Sequence, residues 1–283
     1  GLAEWWQRLD EGDPVARRPG RPGHSVETWA EVKEAVRGVL ERLGWGVGEK
    51  YWGGYSQRQR VQSKWLVPMP EGLDSRQAMA IGTAGFTAML CVITLEEAGI
   101  TPDKGTVVVT GASGGVGSIA VAILAKLGYT VAAVSGKADA EGFLRELGAS
   151  EILSRAEMSE PPRALEGQRW AGAVDTVGST MLARVLAETN YGGCVAACGL
   201  AGGADLPTTV MPFILRNVSL RGVDSVYCPL ERRTRAWQRL ARELPESAYA
   251  EIGKVIGLEE VPQAAADIIA GRIRGRTLVD PNL

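Results

Sequence analysis

The chain has 283 residues, of which 45% are hydrophobic and 23% charged, and its formal net charge is −2. This length and composition are typical of a globular protein with room for about two domains. The nearly neutral charge excludes a general electrostatic attraction to nucleic acid or anionic lipid, and by our reading of the sequence no apolar run approaches the ~18 residues that a membrane span needs.

The first part of the chain differs in composition from the rest. Residues 12–23 are rich in Gly, Pro and Arg, which is typical of a loop. Residues 26–43 place apolar side chains at helical spacing, and these are Trp29, Val32, Val36, Val39, Leu40 and Leu43. Residues 61–70 are β-branched and end in prolines, whereas residues 78–100 form a long apolar run that predicts a buried helix.

An alternation of strands and helices begins at Thr106. Short apolar strands alternate with helices of about ten residues, which predicts a doubly wound parallel α/β sheet. The predicted strands are 107–109, 130–134, 151–153, 173–177, 194–198 and 218–223, and the helices between them include 116–127, 138–147 and 180–188. Two further helices, 230–244 and 262–270, precede a terminal strand at 277–279.

A glycine-rich loop joins the first predicted strand to its helix. Read as Ala-x-Gly-x-x-Gly on Ala112, Gly114 and Gly117, it matches the dinucleotide-binding fingerprint. That fingerprint needs a tight turn, a bare backbone that a pyrophosphate can approach, and close packing of helix on strand. The loop therefore predicts a bound dinucleotide, with a glycine-rich turn in an empty α/β domain as the alternative.

The end of the second strand distinguishes the two nicotinamide cofactors. An NAD site usually places Asp or Glu there to bind the ribose 2′-hydroxyl. This chain has Ser135, Gly136 and Lys137 instead, and Arg155 follows the third strand. These groups would attract a 2′-phosphate, so the sequence predicts NADPH. The alternative is that Lys137 and Arg155 are solvated surface cations.

Other polar stretches are less informative. Residues 83–87 carry two hydroxyls and a glycine, either facing a cleft or simply capping a helix. Residues 190–193 are most simply a turn, and residues 199–203 follow the fifth strand at its carboxyl end, where a nicotinamide neighbour is expected. The three arginines near the end of the chain are expected to form a solvated charged face, and these are Arg272, Arg274 and Arg276.

The cysteines and the single histidine predict no metal site. Cys91, Cys194, Cys198 and Cys228 are scattered in apolar surroundings, which indicates reduced core thiols and a cytoplasmic protein. A catalytic zinc needs three protein ligands and a structural zinc four that lie close together. His24 is the only histidine, and the nearest cysteine pair lies in a strand-like run.

Several stretches resemble one known family. Residues 44–49, 81–89, 109–117 and 190–203 look like the acrylyl-CoA reductase branch of the zinc-free, quinone-oxidoreductase-like medium-chain dehydrogenases/reductases. Residues 207–217 and 222–226 also match this branch, and the resemblance runs from Gly44 to about Val279.

The resemblance implies a subunit of two domains. Residues 81–238 would form the NADPH-binding Rossmann domain, and residues 1–80 with 239–283 a GroES-like, β-rich catalytic domain that is incomplete at its N-terminal side. It also implies NADPH-dependent reduction of the activated double bond of a short enoyl-CoA, acryloyl-CoA to propanoyl-CoA. A homodimer is implied in which two sheets join edge to edge near residues 218–223.

The family's cofactor contacts carry over residue by residue. Ser113, Gly114, Gly115 and Val116 would contact the pyrophosphate. The 2′-phosphate would lie against the four residues named above at the ends of the second and third strands, and these are Ser135, Gly136, Lys137 and Arg155. Leu200, Leu215 and Ser225 would lie around the nicotinamide half. Lys137 stands where the family often has Arg, which keeps the charge but loses bidentate geometry.

Residues 4–43 depart from the family. Their number is about the family's, but their sequence does not resemble it, which leads to the hypothesis of compensating frame shifts in the coding sequence. We expect this stretch to be locally helical or poorly packed and not to form the family's β-barrel segment. An Asn-Tyr-Lys-Asp stretch that reaches substrate in similar proteins would fall just before Gly1, and no residue of the chain stands out as a proton donor.

Two other functions stay open on the sequence. The cofactor-binding half does not fix the acceptor, so a quinone or an enal could replace the enoyl-CoA. The chain could also bind NADPH without catalysing a reaction, because of the altered N-terminal segment. Neither alternative involves nucleic acid or a membrane.

Overall fold

The computed structural model describes residues 54–58 and 60–283. The expectations for residues 4–43, for His24 and for residues 44–49 therefore lie outside the described residues. Residues 44–70 belong to the part that the resemblance assigns to a β-rich domain, and their described portion holds a 3-10 turn at Ser63–Trp65 and no strand.

Six parallel strands form the central sheet. In chain order they are β1 (Val107–Val109), β2 (Val131–Ser135), β3 (Glu151–Ser154), β4 (Trp170–Asp175), β5 (Thr189–Ala197) and β6 (Ser219–Gly222). Their order across the sheet is β3-β2-β1-β4-β5-β6. The strand order thus reverses between β1 and β4, and the predicted doubly wound sheet is confirmed. Such a switch point leaves a crevice at the carboxyl ends of the strands, where open α/β sheets bind their ligands.

Nine α-helices accompany the strands within the described residues. In chain order they are α1 (Ser75–Glu97), α2 (Gly115–Lys126), α3 (Glu141–Glu146), α4 (Arg155–Met158), α5 (Ser179–Glu188), α6 (Met211–Arg216), α7 (Leu230–Glu243), α8 (Glu246–Ile252) and α9 (Val261–Ile269). Near the C terminus, β7 (Gly253–Ile256) pairs in parallel with β8 (Arg276–Val279) in a separate two-stranded sheet.

The valines of β1 show why the sheet is covered on both faces. Val107 and Val109 belong to the core that includes α1 and α2, whereas Val108 belongs to the core on the other face, with Leu182 and Val185 of α5. All three valines are completely buried. Side chains alternate between the two faces of a strand, so a continuous apolar run is what a strand with helices on both sides requires.

Helix α1 is the apolar helix that the sequence predicts. A reciprocal capping box starts it, because the Gln77 amide donates to Asp74 Oδ1 (2.7 Å) and the Asp74 amide donates to Gln77 Oε1 (2.9 Å). Contrary to our reading of the sequence, α1 is long and apolar enough to cross a membrane by length and composition. However, 89% of its most apolar window is buried inside the molecule, as in a core helix.

One predicted turn is part of a strand. Residues 190–193 lie inside β5, which begins at Thr189, and its pairing with β4 shifts register between Trp170 and Gly172. Gly192 has a φ of 73°, so the turn-like residues are accommodated as an irregularity of the strand. β4 in turn ends at Asp175, two residues before the predicted end.

Candidate functional site

The loop between β1 and α2 can be built only from glycine at its key positions. The Gly114 amide donates to the Gly111 carbonyl (2.9 Å), and Gly111 has a φ of 60°. A Cβ on Gly117 would lie 2.4 Å from the Gly111 oxygen and 2.6 Å from the Cα of Ala112. Because these neighbours are backbone atoms, they cannot rotate away. The fingerprint glycines therefore make the tight turn and the close helix packing that the sequence predicts.

Helix α2 directs its N terminus into this loop. Gly114 is its N-cap and supplies no side-chain cap, and the first turn contains no acidic residue. The first amides of a helix have no partner within the helix, and the helix dipole makes that end electropositive. The loop and the helix start thus present donors at a site that fits a phosphate group.

A buried carboxylate joins this loop to the one after β4. Thr110 Oγ1 donates to Asp175 Oδ1 (2.7 Å), and the Gly178 amide donates to Asp175 Oδ2 (2.8 Å). The Thr176 amide in turn donates to Thr110 Oγ1 (3.0 Å). Burial raises the pKa of the Asp175 carboxyl, and these hydrogen bonds partly oppose that rise. Asp175 therefore fixes the loops on both sides of the switch point.

The serine and the lysine at the end of β2 lie beside the glycine-rich loop. Ser135 Oγ donates to Ser113 Oγ (3.1 Å), and the Lys137 amide donates to Ser135 Oγ (3.1 Å). The Lys137 ammonium donates to the carbonyl oxygen of Ile273, and burial lowers the pKa of this lysine. Lys137 is therefore half-buried rather than the freely solvated cation of the alternative.

Arg155 extends across Gly136. A Cβ on Gly136 would lie 2.6 Å from Arg155 Cδ and 3.3 Å from Arg155 Cβ. Together with the contacts of Ser135 and Lys137, this places all four residues predicted for the 2′-phosphate at the same edge of the sheet.

The three residues predicted around the nicotinamide lie on separate elements. Leu200 is 67% exposed in the loop after β5, which the Gly202 amide ties to the Val177 carbonyl (2.7 Å) at the switch point. Ser225 is half-buried beyond β6. Leu215 lies on α6 next to Arg216. The Arg216 guanidinium donates to the Ala187 carbonyl, which lies near the amino end of β5 and not at the carboxyl ends of the strands. The role of these three residues stays a prediction.

Arg276 lies beside the glycine-rich loop, although the sequence did not indicate it as a site residue. Its Nε donates to the Ala80 carbonyl (3.2 Å), and its Cδ lies 3.2 Å from where a Cβ on Gly115 would be. A Cβ on Gly82, at the kink of α1, would lie 2.5 Å from its guanidinium. The expectation of a solvated face is wrong for Arg276, which is half-buried, and burial lowers its pKa. Gly82 and Gly115, which leave room for this side chain, are the sequence signal that could have indicated the burial of Arg276.

Residues 83–87 follow the kink of α1 at Gly82, where its second helical segment begins. Thr87 Oγ1 donates to the Thr83 carbonyl (2.7 Å). Thr83 Oγ1 is buried and has no hydrogen-bond partner among the residues that the structure describes. A buried hydroxyl without a partner is costly, so its partner is expected to be a group that the described residues do not supply.

No cluster of three His, Cys, Asp or Glu side chains suited to a metal occurs among the residues that the structure describes. The four cysteines form no disulfide within the described residues; Cys91, Cys194 and Cys228 are buried, and Cys198 is half-buried. The prediction of reduced core thiols agrees with this arrangement. The absence of a metal from the whole chain stays a prediction.

The chain is similar to proteins of known families. The family described as zinc-binding dehydrogenase matches residues 115–242. The probable acrylyl-CoA reductase AcuI of Escherichia coli (strain K12) is 64% identical over 239 residues, which cover 84% of this chain and 74% of the relative. The acrylyl-CoA reductase AcuI of Ruegeria pomeroyi is 56% identical over 276 residues, covering 96% and 84%. That similarity extends into the first 43 residues, further than the sequence analysis expects.

A solved structure is similar to the chain as well. The yhdH oxidoreductase from Salmonella enterica in complex with NADP superimposes with a TM-score of 0.82 at 64% identity, over 84% of this chain and 73% of that one. The doubly wound sheet, the glycine-rich loop and the two relatives all point to the same family. The chain belongs to the acrylyl-CoA reductase family of the quinone-oxidoreductase-like medium-chain dehydrogenases/reductases.

Proposed function

We propose that the chain is an NADPH-dependent reductase of the activated carbon–carbon double bond of a short enoyl-CoA, converting acryloyl-CoA to propanoyl-CoA. The observation that carries the proposal is the 64% identity to a probable acrylyl-CoA reductase, in a chain whose dinucleotide loop is intact around Gly111 and Gly117. An NADP-bound structure at the same identity supports the cofactor.

The pyrophosphate lies against the glycine-rich loop in this proposal. The backbone of Ser113, Gly114, Gly115 and Val116 offers amide donors at the start of α2, and no side chain of the two glycines blocks the approach. Arg276 adds a positive charge next to Gly115. Donors and charge together suit a group with two negative phosphates.

The 2′-phosphate lies against Ser135, Gly136, Lys137 and Arg155. The Gly136 surface has no Cβ, and two cations flank it. An acidic residue at this position would bind a ribose hydroxyl and repel a phosphate, and β2 ends without one. This arrangement supports NADPH over NADH.

The nicotinamide half is assigned to the crevice near Leu200 and Ser225, with Leu215 as a third contact. NADPH supplies a hydride to the β-carbon of the enoyl-CoA when bound. The protein's task is to orient the two molecules and to stabilise the negative charge that develops on the thioester oxygen. Among the described residues, the buried hydroxyl of Thr83 next to the kink of α1 is a candidate hydrogen-bond donor for that charge.

The domain division and the assembly belong to the same proposal. We assign residues 81–238 to cofactor binding, and residues 1–80 with 239–283 to the catalytic domain. Among the described residues β6 has a partner strand on one side only, and neighbouring α6 exposes Met211 and Ile214. An unpaired edge beside exposed apolar side chains supports a homodimer formed through that edge. Cysteines that form no disulfide within the described residues support a cytoplasmic location.

Steady-state kinetics of the purified chain test the proposal. Acryloyl-CoA, crotonyl-CoA and a quinone would each be offered with NADPH and with NADH. We expect the highest kcat/KM for acryloyl-CoA with NADPH. A higher kcat/KM for the quinone would make the chain a quinone reductase, and NADPH binding without turnover of any acceptor would make it a catalytically silent binding protein.

A further inference from the structure

A third cation approaches the proposed 2′-phosphate site from a distant part of the chain. Lys137 follows β2 and Arg155 begins α4, whereas Arg274 lies just before β8. Arg274 Nη1 donates to the carbonyl oxygen of Asp139 (3.0 Å), two residues after Lys137. The preceding residue, Ile273, accepts the hydrogen bond of the Lys137 ammonium. Arg274 and Lys137 are thus held side by side.

Two further contacts fix the direction of Arg274. Its guanidinium lies 3.5 Å from Asp139 Oδ2 and 5.8 Å from the centre of the Phe143 ring. The hydrogen bond, the ion pair and the ring contact hold the guanidinium against the turn that joins β2 to α3. An arginine that is held in this way loses less side-chain entropy when it binds a ligand than a free surface arginine does.

Positive charge is in excess among the described side chains around Gly136. Lys137, Arg155 and Arg274 contribute three positive charges, and Asp139 is the acidic group that contacts one of them. Arg155 is exposed and packs against Gly136. A phosphate monoester carries about −1.5 to −2 charges near pH 7, which matches the remaining positive charge.

We infer that Arg274 is a third cation of the 2′-phosphate subsite and a determinant of the preference for NADPH. The inference rests on the proposed NADPH site. Lys137 gives a point charge, whereas the guanidinium of Arg274 can offer two parallel donors to a phosphate. Arg274 therefore supplies the bidentate contact that a lysine at position 137 does not provide. It is a binding residue and takes no part in hydride transfer.

Calorimetric titration with two fragments tests this inference without any activity measurement. Adenosine 2′,5′-bisphosphate carries the 2′-phosphate, and 5′-AMP lacks it. In Arg274→Gln we expect affinity for the bisphosphate to fall about tenfold while affinity for 5′-AMP is unchanged. Arg274→Lys should retain part of the affinity because it keeps the charge. Arg272→Gln is the matched control, since Arg272 pairs with Asp267 (2.6 Å), and it should bind both fragments like the wild type.

The outcomes separate this inference from the proposed function. Wild-type affinity of Arg274→Gln for the bisphosphate would overturn the role of Arg274 and leave the NADPH site standing. Equal losses for both fragments would also overturn it, because they would mean that Arg274 only holds the C-terminal segment in place. A wild-type protein that does not prefer the bisphosphate to 5′-AMP would overturn the 2′-phosphate site itself, and the role of Arg274 with it. Thermal unfolding of each variant controls for loss of fold.

Discussion

The amide of Gly275 donates a 3.1 Å hydrogen bond to the carbonyl oxygen of Ser113. This contact joins the segment before β8 to the glycine-rich loop, more than half the chain away in sequence. Arg276 next to it packs against Gly115 of the same loop. The C-terminal segment therefore helps to hold the loop to which we assign the pyrophosphate.

Gly275→Ala should destabilise the protein and weaken NADPH binding. Gly275 has a φ of 61°, and a Cβ there would lie 2.5 Å from the Ile252 carbonyl oxygen. We expect a loss of about 2–4 kcal/mol in the free energy of unfolding, from backbone strain and the clash together. Gly271→Ala is the control, because Gly271 has a φ of 69° but open space around it, and should cost only about 1 kcal/mol. Equal losses in urea denaturation would contradict the role given to the Ile252 contact.

Gly117→Ala should abolish most cofactor affinity. The new methyl group would meet the backbone of Gly111 and Ala112, so the loop must open. We expect the Kd for NADPH to rise at least about tenfold, because misplaced amides no longer face the pyrophosphate. Gly142→Ala in α3 is the matched control, since nothing lies near its Cβ position and alanine favours a helix. Fluorescence titration with NADPH measures both, and unchanged affinity in Gly117→Ala would refute the loop assignment.

Lys137→Ala should separate the two cofactors. A charge-assisted contact to phosphate contributes roughly 1.5–3 kcal/mol, so the Kd for NADPH should rise about ten- to a hundredfold. The Kd for NADH should hardly change, because NADH has no 2′-phosphate. Lys126→Ala, an exposed lysine at the end of α2, controls for the general loss of positive charge. Similar losses for NADPH and NADH would contradict the assignment of Lys137.

The preference for NADPH over NADH should weaken at alkaline pH. Burial lowers the pKa of Lys137 below its ordinary value of 10.5, so this lysine loses its charge at a lower pH than a solvated one. Only the charged form attracts the phosphate, and the ratio of the Kd for NADH to that for NADPH should therefore fall as the pH rises toward 10. Lys137→Arg should keep its ratio over the same range, because a guanidinium stays charged. A fall of the same size in Lys137→Arg would attribute the effect to another group.

The sequence predicts most of the central fold because the signals there are local. Val107–Val109 reads as a strand buried on both faces, and the spacing of Ala112, Gly114 and Gly117 places the turn after it. Residues 190–193 carry turn residues, yet pairing with β4 draws them into β5. A register shift between strands depends on the partner strand, and no local pattern encodes it.

The site was predictable in part for the same reason. The four residues predicted for the 2′-phosphate follow consecutive strands, β2 and β3, so the topology brings their loops together. Arg276 was misjudged because its burial comes from Gly82 and Gly115, which are distant in sequence. Arg274 likewise meets Lys137 only through the tertiary packing of the C-terminal segment. Contacts of this kind need the folded chain.

The most direct test of the central claim follows the hydride itself. The purified chain would be incubated with acryloyl-CoA and NADPH that carries deuterium at C4 of the nicotinamide, using both stereospecifically labelled forms. Mass spectrometry would then examine the product. The account predicts propanoyl-CoA with one deuterium on its β-carbon from one of the two forms. Retention of all label in the cofactor, while NADPH binds normally, would contradict it.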